Sequence, residues 1–358
     1  MKKKIICFSD SFDSGGAQKQ MILLANGLAN KRYDVATLQY HDLNFFAHLL
    51  NNNVQIYKKI ETNKIIRALK LLVFFYNKRP DIIISYLPAP NFYASLYKFI
   101  FFWRKVILIT GERNFNINGI SLKELFFRIP HLIANKVICN SNAQHLLLKK
   151  YFGSKIIFIP NGADVNNIKQ KVYNSENSKK LTLVVAATFW LQKNPLGLVK
   201  ALNIVKSKID VRIDWYGQII YKDNVVEETL DFIKSNRLEN NINFYPPNKQ
   251  IYDVIANSDA LILPSFYEGC SNAIIDAMLV GVPVLASNVG DNRLYLNHHK
   301  ELLFDPNKPE EIAAVLLSFS KLTTMEKKEL GNLNRQKAIS FFSTEKLVQN
   351  YMSLINSI

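Results

Sequence analysis

The sequence predicts an α/β protein built from two Rossmann-like domains, and three observations lead there. Its 358 residues, 48% of them apolar, exceed what one core of ordinary size needs. Short β-branched or apolar runs alternate from end to end with helix-length amphipathic stretches, the order that builds parallel sheets covered by helices on both faces. That alternation is interrupted once, by Pro160-Asn161-Gly162 and a polar run through Asn174-Ser175-Glu176-Asn177-Ser178, which is turn and linker chemistry.

Taken in order, the opening MKKKIICFSD has a basic flank, but its apolar run ends at Phe8, short of the ~7–15 apolar residues of a secretion signal. It reads as the first strand, residues 5–9, followed by a loop and a helix beginning near Ala17. Further strands are expected at 35–40, 54–57, 82–85, 106–110, 137–140 and 156–159, joined by right-handed crossovers. After the linker a second series is expected at 181–187, 211–216, 242–245, 260–264, 284–287 and 302–304. The domains are therefore expected at 1–163 and 164–342, with 343–358 as a terminal helix packing back across the boundary. Ligands of open parallel sheets sit beyond the carboxyl ends of the strands, so two such domains are expected to face each other across a cleft with a binding edge on each side.

The charge lies almost wholly on one side. Residues 1–160 hold 23 Lys and Arg against 8 Asp and Glu, about +15, and the remainder holds 22 against 21. A compositional bias toward Lys would act on both halves alike, so the asymmetry points to an anionic partner of the N-terminal half. The basic stretches KIIRALKLLVFFYNKR (64–79) and FYASLYKFIFFWRK (92–105) interleave cations with aromatic and aliphatic residues. That suits either a helix packed on a sheet or a surface resting on anionic lipid headgroups; a run as greasy as 99–103 suits a bilayer better than nucleic acid. No stretch reaches the ~18 apolar residues needed to span a membrane. Cys7, Cys139 and Cys270 form neither a disulfide framework nor a zinc pattern, so a cytoplasmic location is expected.

Three loops that follow strands could carry chemistry. In the first, Gly15 and Gly16 let the backbone approach a ligand just before a helix N-terminus, where free N–H groups favour phosphate. In the second, Lys193 precedes a helix starting near Pro195, placed to help neutralise a diphosphate. The third is Pro264 to Met278, in which Glu268 is followed by small residues and then by Asp276 inside a helix. Ionised carboxylates only accept hydrogen bonds, so such a pair suits the hydroxyls of two sugar rings. An exposed helix charge is the other reading of Asp276, and a loop charge that of Glu268. Gly281-Val282-Pro283-Val284 then ends the helix and starts a strand.

These loops in this order resemble the retaining nucleotide-sugar glycosyltransferases of family 4, which have the GT-B fold. The resemblance covers almost the whole chain: GGAQ at Gly15 to Gln18, IPNGAD at Ile159 to Asp164, the QKNP lysine turn, and LPSFYEGCSNAIIDAM followed by GVPVLAS, VG and LLFDP. It implies that Gly15 and Gly16 approach the donor diphosphate, that Lys193 pairs with it, and that Glu268 holds the donor sugar, Lys193 and Glu268 being the catalytic pair. Gly269, Cys270, Ser271 and Asn272 would shape the sugar and phosphate pocket, Asp276 would take the ribose hydroxyls, and backbone near Tyr245 would edge the base. Glu112-Arg113-Asn114 resembles a short turn near donor sugar and acceptor, with an internal Glu/Arg ion pair as the alternative; His131 reads as a helix residue rather than a base. Two positions depart from the family pattern: Thr188 stands where an arginine is usual, and the second acid is Asp276 rather than Glu.

The resemblance further implies transfer of a hexosyl or N-acetylhexosaminyl group, with retention and without a metal or other cofactor. The expected donor is a UDP-sugar. The expected acceptor is a polyprenyl-diphosphate-linked saccharide in O-antigen or capsule assembly, reached by a peripheral protein at the cytoplasmic membrane face. The rival readings are a nucleotide-sugar epimerase or hydrolase on the same fold, and a nucleotide-sugar-binding protein without catalysis.

Overall fold

The computed structural model describes residues 2–31, 33–113, 127–165, 168–173 and 180–358. The chain forms two compact units, Met1–Asp164 together with Phe342–Ile358, and Val165–Phe341. All thirteen expected strands form, each end within two residues of its expected position.

The first unit runs β1 (Lys3–Phe8), α1 (Gly16–Ala29), β2 (Tyr33–Gln39), β3 (Gln55–Lys58), α2 (Lys64–Lys78), β4 (Ile82–Tyr86), α3 (Pro88–Ile100), β5 (Ile107–Glu112), α4 (Ile129–Ile133), β6 (Lys136–Cys139), α5 (Asn142–Phe152) and β7 (Ile156–Phe158). Its sheet has the order β3-β2-β1-β4-β5-β6-β7, parallel throughout. Both faces are covered, which is why β1 and β4 are continuously apolar rather than alternating. Successive residues still choose opposite sides. Ile5, Cys7 and Ile109 pack with Leu24 of α1 and with Tyr351 of the closing helix Thr344–Asn356, while Ile6, Phe8 and Leu108 pack with Phe75 of α2 and Tyr97 of α3. That closing helix is seated on α1 so tightly that a Cβ on Gly27 would meet Val348 at 2.2 Å.

The two greasy basic stretches are only half used by this core. Helix α2 buries Arg67, Leu71, Phe74 and Phe75 and leaves Ile65, Leu69, Val73 and Tyr76 exposed, a second apolar stripe at spacings of four, four and three. Helix α3 turns Tyr93, Ala94 and Tyr97 inward and Phe99 outward, and in the 3-10 turn that follows, Phe102–Arg104, Phe102 and Trp103 also point out, Phe102 at 74% exposure. Packing on the sheet therefore accounts for one face of each helix and leaves the other apolar face bare. Among the described residues no helix is long and apolar enough to cross a membrane.

The second unit runs β8 (Leu181–Ala186), α6 (Pro195–Val205), β9 (Val211–Tyr216), α7 (Val225–Ser235), β10 (Ile242–Tyr245), α8 (Ile251–Ala256), β11 (Ala260–Leu263), α9 (Asn272–Val280), β12 (Val284–Ser287), α10 (Asn292–Tyr295), β13 (Leu303–Phe304), α11 (Pro309–Ser320) and α12 (Thr324–Phe342). Its parallel sheet has the order β10-β9-β8-β11-β12-β13. Gly281 ends α9 at φ +81°, with its N–H bonded back to the carbonyls of Ala277 and Met278, the left-handed stop that the GVPV run predicts.

Candidate functional site

In the second sheet the strand order reverses between β8 and β11, the edge at which an open parallel sheet binds its ligand. The loops leaving these two strands are tied together there: Phe266 N–H donates to the Gln192 carbonyl at 2.9 Å, and the Gln192 amide donates to the Tyr267 carbonyl at 2.9 Å. The tie brings Lys193 and Glu268, 75 residues apart in sequence, to an Nζ–Oε1 distance of 2.6 Å. The Ser265 hydroxyl donates to the same oxygen at 2.6 Å. Both charges are largely buried, Lys193 at 16% and Glu268 at 7% side-chain exposure, so neither is the solvated surface charge that a lone lysine or loop glutamate usually is.

Local rules hold each partner in place. Asn194 sits in the left-handed region at φ 52° and caps α6, its Oδ1 accepting from Gly197 N–H at 3.0 Å and its amide donating to the Pro306 carbonyl at 2.7 Å, so the residue before it cannot wander. On the other side, Gly290 has φ +52°, and a Cβ there would lie 2.0 Å from the Glu268 carbonyl oxygen. Only glycine lets the Val289-Gly290 turn lie against the Glu268 backbone.

Asp276 is buried within α9 and accepts from the Tyr252 hydroxyl at 3.2 Å, which sets aside the exposed-helix-charge reading. It has a partner of its own rather than sharing the Lys193–Glu268 pair. Ser271, in extended backbone, precedes α9 and makes no capping bond with its side chain, and Asn272 opens the helix, whose first-turn N–H groups favour an anion. Gly269 lies between Glu268 and Cys270 on this turn. Cys270 is a buried thiol outside any disulfide, against the Tyr295 hydroxyl, and burial together with Cys270 and Asp291 pushes that hydroxyl well above the usual tyrosine range. A thiol so enclosed is a packing residue, as are Cys139 and Cys7, the last pushed by burial up to about 12.

Tyr245, at the end of β10, stacks on Tyr216 with ring centroids 4.7 Å apart and accepts from Arg212 at 3.2 Å, while its carbonyl accepts from Gly217 N–H. Thr188 lies in the loop after β8, where a Cβ on Gly217 would strike the Ala187 carbonyl oxygen at 1.9 Å. A cavity of about 420 Å³ next to α6, lined by Asn194, Lys200, Glu228, Phe266 and Pro306 among others, contains none of the site residues the sequence singles out. Among the described residues no three His, Cys, Asp or Glu side chains group so as to hold a metal.

In the first unit, Gly15 is the extended N-cap of α1 and Gly16 its first residue. The preceding loop is organised by Asp10, whose Oδ1 accepts from Ser11 N–H at 2.7 Å and from the Gln18 amide at 3.0 Å, a role with no local signal in the sequence. Glu112 and Arg113 do not pair with each other. Glu112 accepts from Arg128 and His131, whereas Arg113 lies 3.9 Å over the Tyr86 ring and donates to Asn161 Oδ1 at 2.8 Å. Asn114 lies outside the described residues. Ser265, Tyr252 and Gln192 are further members of the second-unit site with no local signal to mark them: serine and glutamine are common in any loop, Tyr252 sits in the short helix α8, and the role of each depends on what lies opposite.

Residues 166–337 match the family profile "Glycosyl transferases group 1". Protein CapJ of Staphylococcus aureus is 26% identical over 246 residues, which cover 63% of this chain and 59% of CapJ. The Escherichia coli UDP-Gal:alpha-D-GlcNAc-diphosphoundecaprenol alpha-1,3-galactosyltransferase is 25% identical over 240 residues, 61% of this chain and 59% of that enzyme. The chain thus spans about three fifths of the length of each of these relatives. Among solved structures, Anabaena HepE in complex with UDP and glucose superposes with a TM-score of 0.84 over 99% of this chain and 100% of that one, at 18% identity, a likeness of fold.

Proposed function

We propose that this chain, whose residues 166–337 match the group 1 glycosyl transferases and whose two Rossmann-like units have the GT-B fold, transfers a hexosyl or N-acetylhexosaminyl group, with retention and without a metal, from a UDP-sugar to a hydroxyl of a lipid-linked saccharide in cell-surface polysaccharide assembly. The observation that carries this reading is the Lys193–Glu268 contact at the reversal point of the second sheet. An ammonium next to a carboxylate at that edge offers one group for a diphosphate and one for a sugar hydroxyl. The diphosphoundecaprenol acceptor in the name of the E. coli relative supports the lipid-linked acceptor, and the UDP bound by HepE supports the donor base.

In this mechanism the bond from the anomeric carbon to the diphosphate breaks as the acceptor oxygen approaches on the same face. The acceptor proton passes to a departing diphosphate oxygen, and Lys193 stabilises the charge that builds up there. Glu268 holds the donor sugar by its hydroxyls, and Asp276 the ribose. A panel of UDP-, GDP-, ADP- and TDP-sugars tests the donor: UDP-sugars raise the melting temperature and the others do not, since a ligand that binds only the folded form stabilises it in proportion to affinity. A shift with another nucleotide alone would reassign the base; a shift with none would remove the donor reading.

The bare apolar stripe of α2, whose Leu69 and Val73 lie among Lys58, Lys59, Lys70 and Lys78, and the outward Phe99, Phe102 and Trp103 support a peripheral position on the anionic cytoplasmic leaflet, where such an acceptor resides. Replacing Phe102 and Trp103 together by Glu is expected to weaken binding to vesicles containing anionic lipid at least about tenfold, while leaving transfer to a short, water-soluble acceptor unchanged. Equal flotation of variant and wild type would count against membrane docking by this face.

A further inference from the structure

The cavity of about 420 Å³ next to α6 is bounded by α6, the N-terminal turn of α7 and the start of α11. Its size falls within the range of small-molecule sites, roughly 300–1,000 Å³. Part of its wall is made of the residues that hold the Lys193–Glu268 pair from behind. Leu191 stands two residues before Lys193 and Asn194 directly after it. Phe266 stands two residues before Glu268, and its N–H, on the Gln192 carbonyl, is one of the bonds that tie the two loops together. Pro306, whose carbonyl accepts from the Asn194 amide, completes that wall. Lys193 and Glu268 do not line the cavity, so a guest in it touches their supports and neither of the pair.

The remaining lining decides what the guest is. Leu196, Val225 and Pro309 extend the apolar surface, and polar groups stand around it. One is a cation, Lys200, and two are carboxylates, Asp223 and Glu228. Asp223 is engaged by its own chain, accepting from Val225 N–H at 3.2 Å. Lys200 and Glu228 come from neighbouring helices, and among the described residues neither forms an ion pair or a side-chain hydrogen bond. The ammonium only donates and the carboxylate only accepts, so both kinds of hydrogen bond are on offer. Acid outnumbers base, which disfavours a nucleotide, a sugar phosphate or a lipid phosphate. An apolar wall ringed by separate donors and acceptors, without a surplus of cations, fits an uncharged ring that carries hydroxyls.

We propose that this cavity is a second carbohydrate site, which takes one neutral hexose or N-acetylhexosamine unit between Lys200 and Glu228, and that its occupancy tightens donor binding through Leu191, Asn194 and Phe266. The binding half stands on the cavity alone, and the regulatory half rests on the donor reading given above. A guest that steadies the supports of Lys193 and Glu268 favours the arrangement that UDP needs, and the coupling must be reciprocal.

Thermal shifts with a panel of methyl hexosides and methyl N-acetylhexosaminides test both halves. At least one glycoside is expected to raise the melting temperature of the wild type further in the presence of saturating UDP, as two ligands at separate sites do. K200A/E228A, at two exposed positions, should bind that glycoside at least about tenfold more weakly, as for loss of charge-assisted hydrogen bonds, and a preserved UDP shift shows that the variant is folded. K193A should keep the glycoside shift while losing that of UDP. UDP should bind the wild type about fivefold tighter with the glycoside present, and the glycoside as much tighter with UDP present. Equal binding of a free hexose and its methyl glycoside assigns the guest to the end of a saccharide chain, with its anomeric oxygen outward; binding of the free hexose alone assigns it to a free sugar. Absence of any glycoside or hexose shift, a shift that K200A/E228A retains, or competition between the sugar and UDP overturns the site. Unchanged UDP affinity at saturating glycoside overturns the regulation. A wild type that binds the glycoside but no nucleotide sinks the donor reading and leaves the carbohydrate site standing.

Discussion

Lys193→Ala is expected to lower kcat/KM for sugar transfer by about a hundred- to a thousandfold, the cost of removing one preorganised donor from a developing charge. The contact with Glu268 makes the variant do two things at once. It removes the cation for the diphosphate, and it leaves the Glu268 carboxylate in a largely buried position with only the Ser265 hydroxyl. Breaking a buried pair costs up to about 3–5 kcal/mol, and the residual exposure of Lys193 and the surviving serine bond put this case toward the lower end. The two effects separate on ligands. Lys193 acts on the diphosphate, so K193A should weaken UDP and UDP-sugar alike. Glu268 acts on the sugar, so Glu268→Gln should weaken UDP-sugar and leave UDP nearly unchanged. Thermal shifts with both ligands on both variants read this directly, and turnover of K193A within tenfold of wild type would end the account.

How far the sequence went, and where it stopped, follows from which interactions are local. Strands covered on both faces are continuous apolar runs, so β4 (IIISY) and β11 (ALIL) stand out without any knowledge of their neighbours. Gly281 after an apolar helix, with Pro283 just beyond, is a stop signal that acts on its own backbone. Lys193 stands out by its place between a strand and a helix start, also a local signal. Its partner was not legible: the Nζ–Oε1 contact depends on β8 and β11 being adjacent, which strand order across 75 residues decides. The same applies to Glu112, whose chain neighbour Arg113 is the obvious partner on paper. Alternation along β5 sends the two to opposite faces, and the true partners, Arg128 and His131, come from 16 and 19 residues on. Exposure was likewise beyond reach, because a second apolar stripe on α2 reads the same whether it is covered or bare.

Gly290→Ala is expected to reduce transfer by about a hundredfold without touching any charged group. An alanine can enter the left-handed region for about 1–2 kcal/mol, so conformation alone predicts a modest loss of stability. The clash predicts more. The new Cβ would lie 2.0 Å from the Glu268 carbonyl oxygen, and a backbone atom cannot rotate aside as a side chain does. The Val289–Gly290 turn or the Glu268 backbone has to move by roughly an ångström, and a misplacement of that size in a reacting geometry is enough for about a hundredfold. Gly281→Ala is the control. It is left-handed too, at φ +81°, but its Cβ would meet the flexible Gln170 side chain at 3.3 Å, at the other end of α9 from Glu268. G281A should lose stability with transfer intact, and G290A should lose transfer and the thermal shift from UDP-sugar while keeping most of the shift from UDP. If both variants lose stability and activity in the same proportion, Gly290 is only a fold residue and the close approach to Glu268 has no catalytic consequence.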